Sequence, residues 1–415
     1  MKRSKQKNLE EQKSGFRELA KKAIIQPKES LVEVQKSSGG LKIGVPKETS
    51  NQERRVALSP QAVQLISAHG HQVVFESGAG DNAKFSDHDY SEAGAQVTRN
   101  TKEVFECPIV IKVAFPTYKE IEMMNHGQII MSALHAQMMD KNCLDLLMKK
   151  KVTALGFELL KDESGGYPVV QSMSEIAGGA SVLIASEYLS NIKHGKGVML
   201  GGISGIPPSE VVILGAGTVG QYAARASMGL GAMVKVFDNN VSRLKRLLNG
   251  IHSPIFTSIA HPKVLSNALR TADVVIGAVR GIKGRAPILV TEQMVQSMKA
   301  GSVIVDVSID HGGCVETSEL TNHNDPIFEK YDVIHYGVPN IPSRVSRTAS
   351  YALSNVFSNL VVDIGRIGGF KNYLWEKDYV RESVYLYKGL LTNDFLGQRY
   401  GMQARDLNLI IASML

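Results

Sequence analysis

An α/β protein of two domains, each a parallel sheet flanked by helices, is what three features of this 415-residue chain predict. Strand-like apolar runs alternate with helical segments over most of its length. One run leads straight into a glycine-rich turn followed by a helix of small residues. The chain is also long enough, and at 43% hydrophobic content apolar enough, to bury two ordinary cores.

The elements follow in order. Residues 1–40 carry ten Lys/Arg against five Asp/Glu, so five of the seven net positive charges sit there and the body is near neutral. No basic-aromatic stripe marks the body, which argues against a nucleic-acid partner. The tail reads as a flexible arm with some helix; a surface helix or an oligomer clasp are its other readings. Ser37 to Gly40 form a linker, and Leu41 to Pro46 the first strand. A polar loop reaches Arg55; Ser59 then caps a helix that Pro60 starts and Gly70 ends. Strands are expected at Gln72–Glu76, Ile109–Val113, Gln128–Ala133 and Thr153–Phe157, with helices around Ser86–Ala93, Tyr118–Met124 and Lys141–Lys149. The small-residue segment Met173–Leu189 reads as a helix crossing between domains. Further strands lie near 211–214, 233–237, 274–278, 303–307 and 332–335. After Ser346 the pattern is helical (Tyr351–Ile364, Val380–Tyr387) and returns to the first domain. The boundaries are therefore 1–40 for the tail, 41–170 with 347–415 for a substrate domain, and 171–346 for a nucleotide domain. The active site is expected in the cleft between the last two.

The glycine-rich turn is the strongest signal. Val211–Leu214 runs into Gly215-x-Gly217-x-x-Gly220, with Thr218 and Val219 inside the loop and Asp238 closing the next strand. Gly215 serves the tight turn, Gly217 the approach of a pyrophosphate, and Gly220 close helix–sheet packing. The helix N-terminus offers free N–H groups to phosphate. A carboxylate at Asp238 accepts from ribose hydroxyls and repels a 2′-phosphate, which favours NAD over NADP.

The chemistry-bearing residues are individually weak signals. Asp310, in VDVSIDHGGC, follows a strand that runs out toward the ligand crevice; it could orient or deprotonate a water, or be only a turn residue before Gly-Gly. His311 beside it reads as a solvent-facing loop residue. His135 ends IIMSALH and could exchange a proton with a substrate oxygen, or be only a hydrogen-bonded surface histidine. Arg55 stands where a carboxylate clamp would, though Arg54–Arg55 also reads as a solvated basic pair. Three scattered cysteines, no apolar signal core and no uninterrupted apolar run of about 20 residues predict a cytoplasmic protein outside the membrane. No metal site is expected.

Together these segments resemble a known family. KIGVPKETSNQERRVALSP, HGHQVVFESGAG, HGQIIMSALH, MSEIAG, the glycine loop and VDVSIDHGGC are similar, in that order, to alanine dehydrogenase. They are similar also to the NAD-binding component of proton-translocating transhydrogenase and, more distantly, to saccharopine dehydrogenases. The resemblance runs from Leu41 to the end. It implies two Rossmann-like domains, NAD, and interconversion of L-alanine with pyruvate and ammonia by a cytoplasmic homohexamer. It also implies roles: Arg55 holds the substrate carboxylate, His135 is the acid/base, and Asp310 activates water or ammonia. Ser174 and Asn340 line the cofactor site, and Asp238 binds ribose. One stretch departs. Where the family usually reads K-V-K-E-P, this chain has Lys112-Val113-Ala114-Phe115-Pro116, so Ala114 replaces the substrate-binding lysine. Lys112, on the same strand face about 6–7 Å back, is the candidate substitute. The departure keeps two alternatives open: a dehydrogenase for another small amino acid, and a transhydrogenase-like or regulatory NAD-binding relative with little activity.

Overall fold

The structure is a computed structural model, and it describes residues 40–50, 52–191, 194–251, 254–281 and 284–413. The basic arm and most of its linker lie outside the described residues.

Two sheets organise the rest. The first contains β1 (Lys42–Val45), β2 (Gln72–Glu76), β3 (Gln96–Thr98), β4 (Ile109–Ile111), β5 (Ile129–Ser132) and β6 (Thr153–Gly156), and late in the chain β14 (Val384–Tyr387) and β15 (Leu390–Leu391). Its order is β15-β14-β6-β5-β4-β1-β2-β3. The second contains β7 (Glu210–Leu214), β8 (Met233–Phe237), β9 (Phe256–Ser258), β10 (Val274–Gly277), β11 (Val303–Asp306), β12 (Ile327–Lys330) and β13 (Val333–Tyr336), in the order β12-β13-β11-β10-β7-β8-β9. Six parallel strands in each therefore follow one doubly wound plan, with the order reversing between β1 and β4 and again between β7 and β10. Ligands of such sheets bind beyond the carboxyl ends of the strands at these reversals.

Alternation along the strands separates two cores on each sheet. Val211 and Ile213 face one way, into a cluster with Val274, Ile276 and Val303. Val212 and Leu214 face the other, with Val275 and Ile304. The first sheet repeats this with Ile109 and Ile111 on one face and Val110 on the other. Strands buried on both faces read as continuous apolar runs, which is why they were visible in the sequence.

The helix Pro168–Leu189 passes from one sheet to the other. By length and composition it is apolar enough to span a bilayer, but Ala177, Ala180, Val182, Ile184 and Leu189 are buried in the second core. Gly178 is needed there because a Cβ would strike the Val219 carbonyl of the neighbouring helix.

One element differs from expectation. Val380–Tyr387 is helical only in its first half: Val380–Ser383 end a 3-10 helix that begins at Asp378, and Val384–Tyr387 is a strand antiparallel to β6. Its four residues, VYLY, are β-branched, aromatic or leucine and all buried, so pairing between β6 and β15 in the first sheet outweighs local helical periodicity.

Candidate functional site

At the β7/β10 reversal the glycine loop has the expected construction. Gly215 adopts φ 106°, closed to most side chains, and a Cβ on it would meet the Ala278 carbonyl. A Cβ on Gly220 would run into the Gly215 carbonyl, so that residue sets the helix–turn contact. A Cβ on Gly217 would meet nothing within 4 Å; the backbone there opens onto free space. The helix Thr218–Gly229 begins at Gly217 without a side-chain cap, leaving its first N–H groups for an anion. The loop thus fits a pyrophosphate. Asp238 is nearly buried and does structural work as well: Oδ2 accepts from Ala216 N at 2.8 Å and Oδ1 from Asn240 N at 2.7 Å. Its carboxylate retains lone pairs for ribose hydroxyls. The partly exposed Arg243 lies 3.8 Å from Oδ2.

Arg55 lies in the loop beyond β1. Its Nε and Nη2 donate to the two oxygens of Glu53 at 2.7 and 2.6 Å, a bidentate pair only 12% and 5% exposed. Among the described residues, the hydrogen-bond partner of Nη1 is the Met173 sulfur, at 3.3 Å. Burial works to raise the Glu53 carboxyl, but Arg55, assisted by Asn340, brings it below the ordinary glutamate range. The loop is held from the helix Ser346–Arg366 and the turn before it. Arg54, Val56 and Ser59 donate backbone N–H groups to the hydroxyls of Ser343, Ser350 and Ser354 at 2.8, 2.9 and 2.7 Å.

Asn340 joins the two halves. Its Nδ2 donates to Glu53 at 3.0 Å, and its backbone N–H donates to Asp310 Oδ1 at 2.9 Å. It adopts left-handed φ 55°, ψ 48°, which asparagine tolerates better than most residues. The sequence resemblance implies a cofactor role for Asn340; the geometry adds a strut between the Arg55–Glu53 pair and the Asp310 carboxylate. Asp310 retains solvent-accessible surface, yet the protein crowded around it lifts its carboxyl above the usual range. The Asn340 N–H, His311, His135 and Arg55 pull the other way. Below it, buried Asp306 shapes the loop by accepting from Ser308 N, Cys314 N and Val315 N. His311 is drawn into the same electrostatic group, beside Arg280. Ser174 is half-buried on the helix Pro168–Leu189, next in sequence to Met173.

His135 follows β5 with an exposed side chain and φ 41°, unusual for a non-glycine residue. It is close enough to interact electrostatically with both Asp310 and His311.

Lys112 is placed differently from the expectation. It is 1% exposed, and Nζ sits 3.1 Å from Glu48 Oε2 and 3.3 Å from Glu120 Oε2. Glu48 also accepts from the backbone of Val113 at 2.6 Å and Ala114 at 3.3 Å, and Glu120 closes a capping box with Thr117. A buried lysine between two carboxylates has its donors engaged, so in this geometry it does not stand in for the lysine missing at Ala114. Burial pushes the Glu48 carboxyl up to about 7, Lys112 opposing. Lys112→Met is expected to strand two buried carboxylates and cost about 3–5 kcal/mol, read by urea unfolding at pH 8.

Glu48, Glu53, Glu120 and the serine row were not among the residues expected from sequence. Glu53, two residues before Arg55, left a local signal; the serines did not, since their partners lie almost 300 residues away.

Two family models match the chain: the N-terminal domain of alanine dehydrogenase/PNT over residues 44–177 and the C-terminal domain over 181–394. An alanine dehydrogenase of Methanococcus maripaludis is 40% identical over 352 residues, 84% of this chain and 92% of that protein. One of Mycolicibacterium smegmatis is 37% identical over 353 residues, 85% and 93% of the two chains. Among solved structures, an L-alanine dehydrogenase superposes with TM-score 0.82 at 40% identity, covering 87% of this chain and 99% of its own. A transhydrogenase from Sinorhizobium meliloti shares the fold, with TM-score 0.72 at 23% identity over 85% and 99% of the two chains. With both domain models matched across most of its length, this chain belongs to the alanine dehydrogenase/PNT family.

Proposed function

We propose that the chain is an alanine dehydrogenase: L-alanine, NAD⁺ and water give pyruvate, ammonium, NADH and a proton, reversibly. The observation that carries this is the hydrogen-bonded chain Arg55–Glu53–Asn340–Asp310, which sets a carboxylate clamp against a candidate base in a chain whose relatives are alanine dehydrogenases. Residues 41–170 with 347–415 supply the substrate side, residues 171–346 the NAD side, and the cleft between them the active site. Bound NAD supplies the hydride acceptor, held by Gly215, Gly217, Thr218, Val219, Gly220, Ser174, Asp238 and Asn340.

Glu53 occupies two of the five Arg55 donors, so the substrate carboxylate takes the Nη1 edge, where the soft Met173 sulfur is easily displaced. Held by its carboxylate, the substrate would present its Cα for hydride transfer to bound NAD. Ionised Asp310 takes a proton from the water attacking the imine carbon. Asp310 then returns that proton to the amine nitrogen while His135 takes the hydroxyl proton, so the C–N bond breaks and the nitrogen leaves as ammonia. The protein is further proposed to act in the cytoplasm as a homohexamer; its three buried, free cysteines suit a reducing compartment.

The test is NADH formation by purified protein with L-alanine, and with glycine, L-serine and L-valine alongside. Turnover greatest with alanine is expected; silence with all four sinks the proposal. Burial of Lys112 between Glu48 and Glu120 favours one second reading, an NAD-binding relative with little turnover, in which NAD binds and no amino acid is oxidised. The glycine loop offers a separate check. Gly217→Ala is expected to leave the melting temperature within about 2 °C while abolishing NADH binding, because its methyl enters empty space. Gly220→Ala is expected to lose both, at a cost of about 1–3 kcal/mol.

A further inference from the structure

The carboxylate of Glu158 gathers three donors: Leu134 N at 3.2 Å and His135 N at 2.7 Å from the loop after β5, and the Tyr385 hydroxyl at 2.7 Å from β14. Two successive backbone N–H groups, the second on a residue with φ 41°, form a concave anion-binding nest. Here the anion is built in. Glu158 stands two residues beyond β6, the neighbour of β5, and is therefore aimed at the end of that strand. Tyr385 is 2% exposed, and its ring lies against Gly156, where a Cβ would come within 2.5 Å of Tyr385 Cε2 and 3.0 Å of Glu158 Oε1. Glycine at 156 is thus what admits the tyrosine–glutamate pair. The rest of the loop is clamped from the same C-terminal region: Arg399 donates to the carbonyls of Ala136 and Gln137, and the Tyr400 hydroxyl to that of Met139.

From this geometry we infer that Glu158, anchored by Tyr385, is a positioning residue that holds the His135 backbone in its left-handed conformation and so sets where the imidazole meets the substrate. The inference rests on the reading of His135 as the acid/base. Left-handed backbone is unfavourable for histidine unless the surroundings over-determine it, and the nest with its fixed carboxylate does so. Without that carboxylate the loop relaxes toward ordinary φ and the ring swings away. Arg55 lies on a different loop and keeps its hold on the substrate. The loss therefore falls on kcat, since a displacement of about 1 Å at a reacting group costs on the order of a hundredfold.

The test is steady-state kinetics of L-alanine oxidation by the full-length protein carrying Glu158→Ala, Glu158→Gln, Tyr385→Phe or His135→Asn, and the Glu158→Ala/His135→Asn pair. Asparagine is chosen at 135 because it accepts positive φ. Expected are a kcat lower by about 30–100-fold in Glu158→Ala with KM for L-alanine within threefold, partial rescue in Glu158→Gln, and a smaller loss in Tyr385→Phe. The pair should be no slower than His135→Asn alone, because Glu158 acts only through that ring. If His135→Asn loses turnover but the Glu158 variants stay within twofold of wild type, or if the losses multiply in the pair, the positioning role is overturned and the role of His135 stands. If His135→Asn itself keeps full activity, the acid/base reading falls, and the inference with it. Should Glu158→Ala not fold, Glu158→Gln and Tyr385→Phe decide by the same kcat criterion.

Discussion

Asp310→Asn is expected to lower kcat for L-alanine oxidation about a thousandfold while leaving NADH affinity within threefold. A positioned general base contributes roughly 10²–10⁴ to rate, and asparagine keeps the shape and can still accept from Asn340 N while losing the proton-accepting charge. Stopped-flow NADH formation and a fluorescence titration of NADH separate the two quantities. The pH profile gives a second readout. Crowding by protein lifts the Asp310 carboxyl above the ordinary aspartate range, so in the oxidative direction kcat/KM should rise with pH through that elevated pKa as the base ionises. Asp310→Asn should lose this acidic limb. Glu48, pushed up to about 7, titrates nearby, so Glu48→Gln is the control. A limb that survives in Glu48→Gln and vanishes in Asp310→Asn belongs to Asp310; one that persists in Asp310→Asn would exclude Asp310 as the base.

Arg55→Met is expected to reduce kcat/KM for L-alanine by a hundredfold or more, corresponding to the loss of two charge-assisted contacts of about 1.5–3 kcal/mol each. The same change strands Glu53, which is 5% exposed and paired with Arg55 through both oxygens, so about 3–5 kcal/mol of stability should go as well. The double variant Glu53→Gln/Arg55→Met tells the two effects apart. Its urea midpoint should recover toward wild type, because no buried carboxylate is left unpaired, while its activity should not. Recovery of alanine turnover in the double variant would mean that Arg55 is a structural partner of Glu53 and no clamp.

Local signals were legible wherever a function needs its residues close together in the chain. The glycine loop is one case: its three glycines fall within six residues, Gly215 and Gly220 each against a backbone carbonyl and Gly217 facing open space. Arg55, His135 and Asp310 were weak signals one by one, and only the ordered motifs of the family resemblance singled them out. Lys112 shows the opposite. From sequence it shares a strand face with the site, but only the fold brings Glu48 from beyond β1 and Glu120 from the following helix onto its ammonium, turning a candidate ligand into a buried ion cluster. The strand at Val384–Tyr387 escaped for a related reason, since its partner β6 lies more than 200 residues earlier.

By itself, then, the sequence determined the alternation of strands and helices, the glycine-rich turn and the identity of the charged residues, because periodicity and short-range spacing are written along the chain. The tertiary structure alone decided which charges meet. It joined Glu53 to Asn340, Asn340 to Asp310, and Glu158 to His135 and Tyr385. Hydrogen bonds reach only about 3 Å, and which groups come that close depends on how two doubly wound sheets and a returning C-terminal segment pack, a property no local stretch of the chain contains.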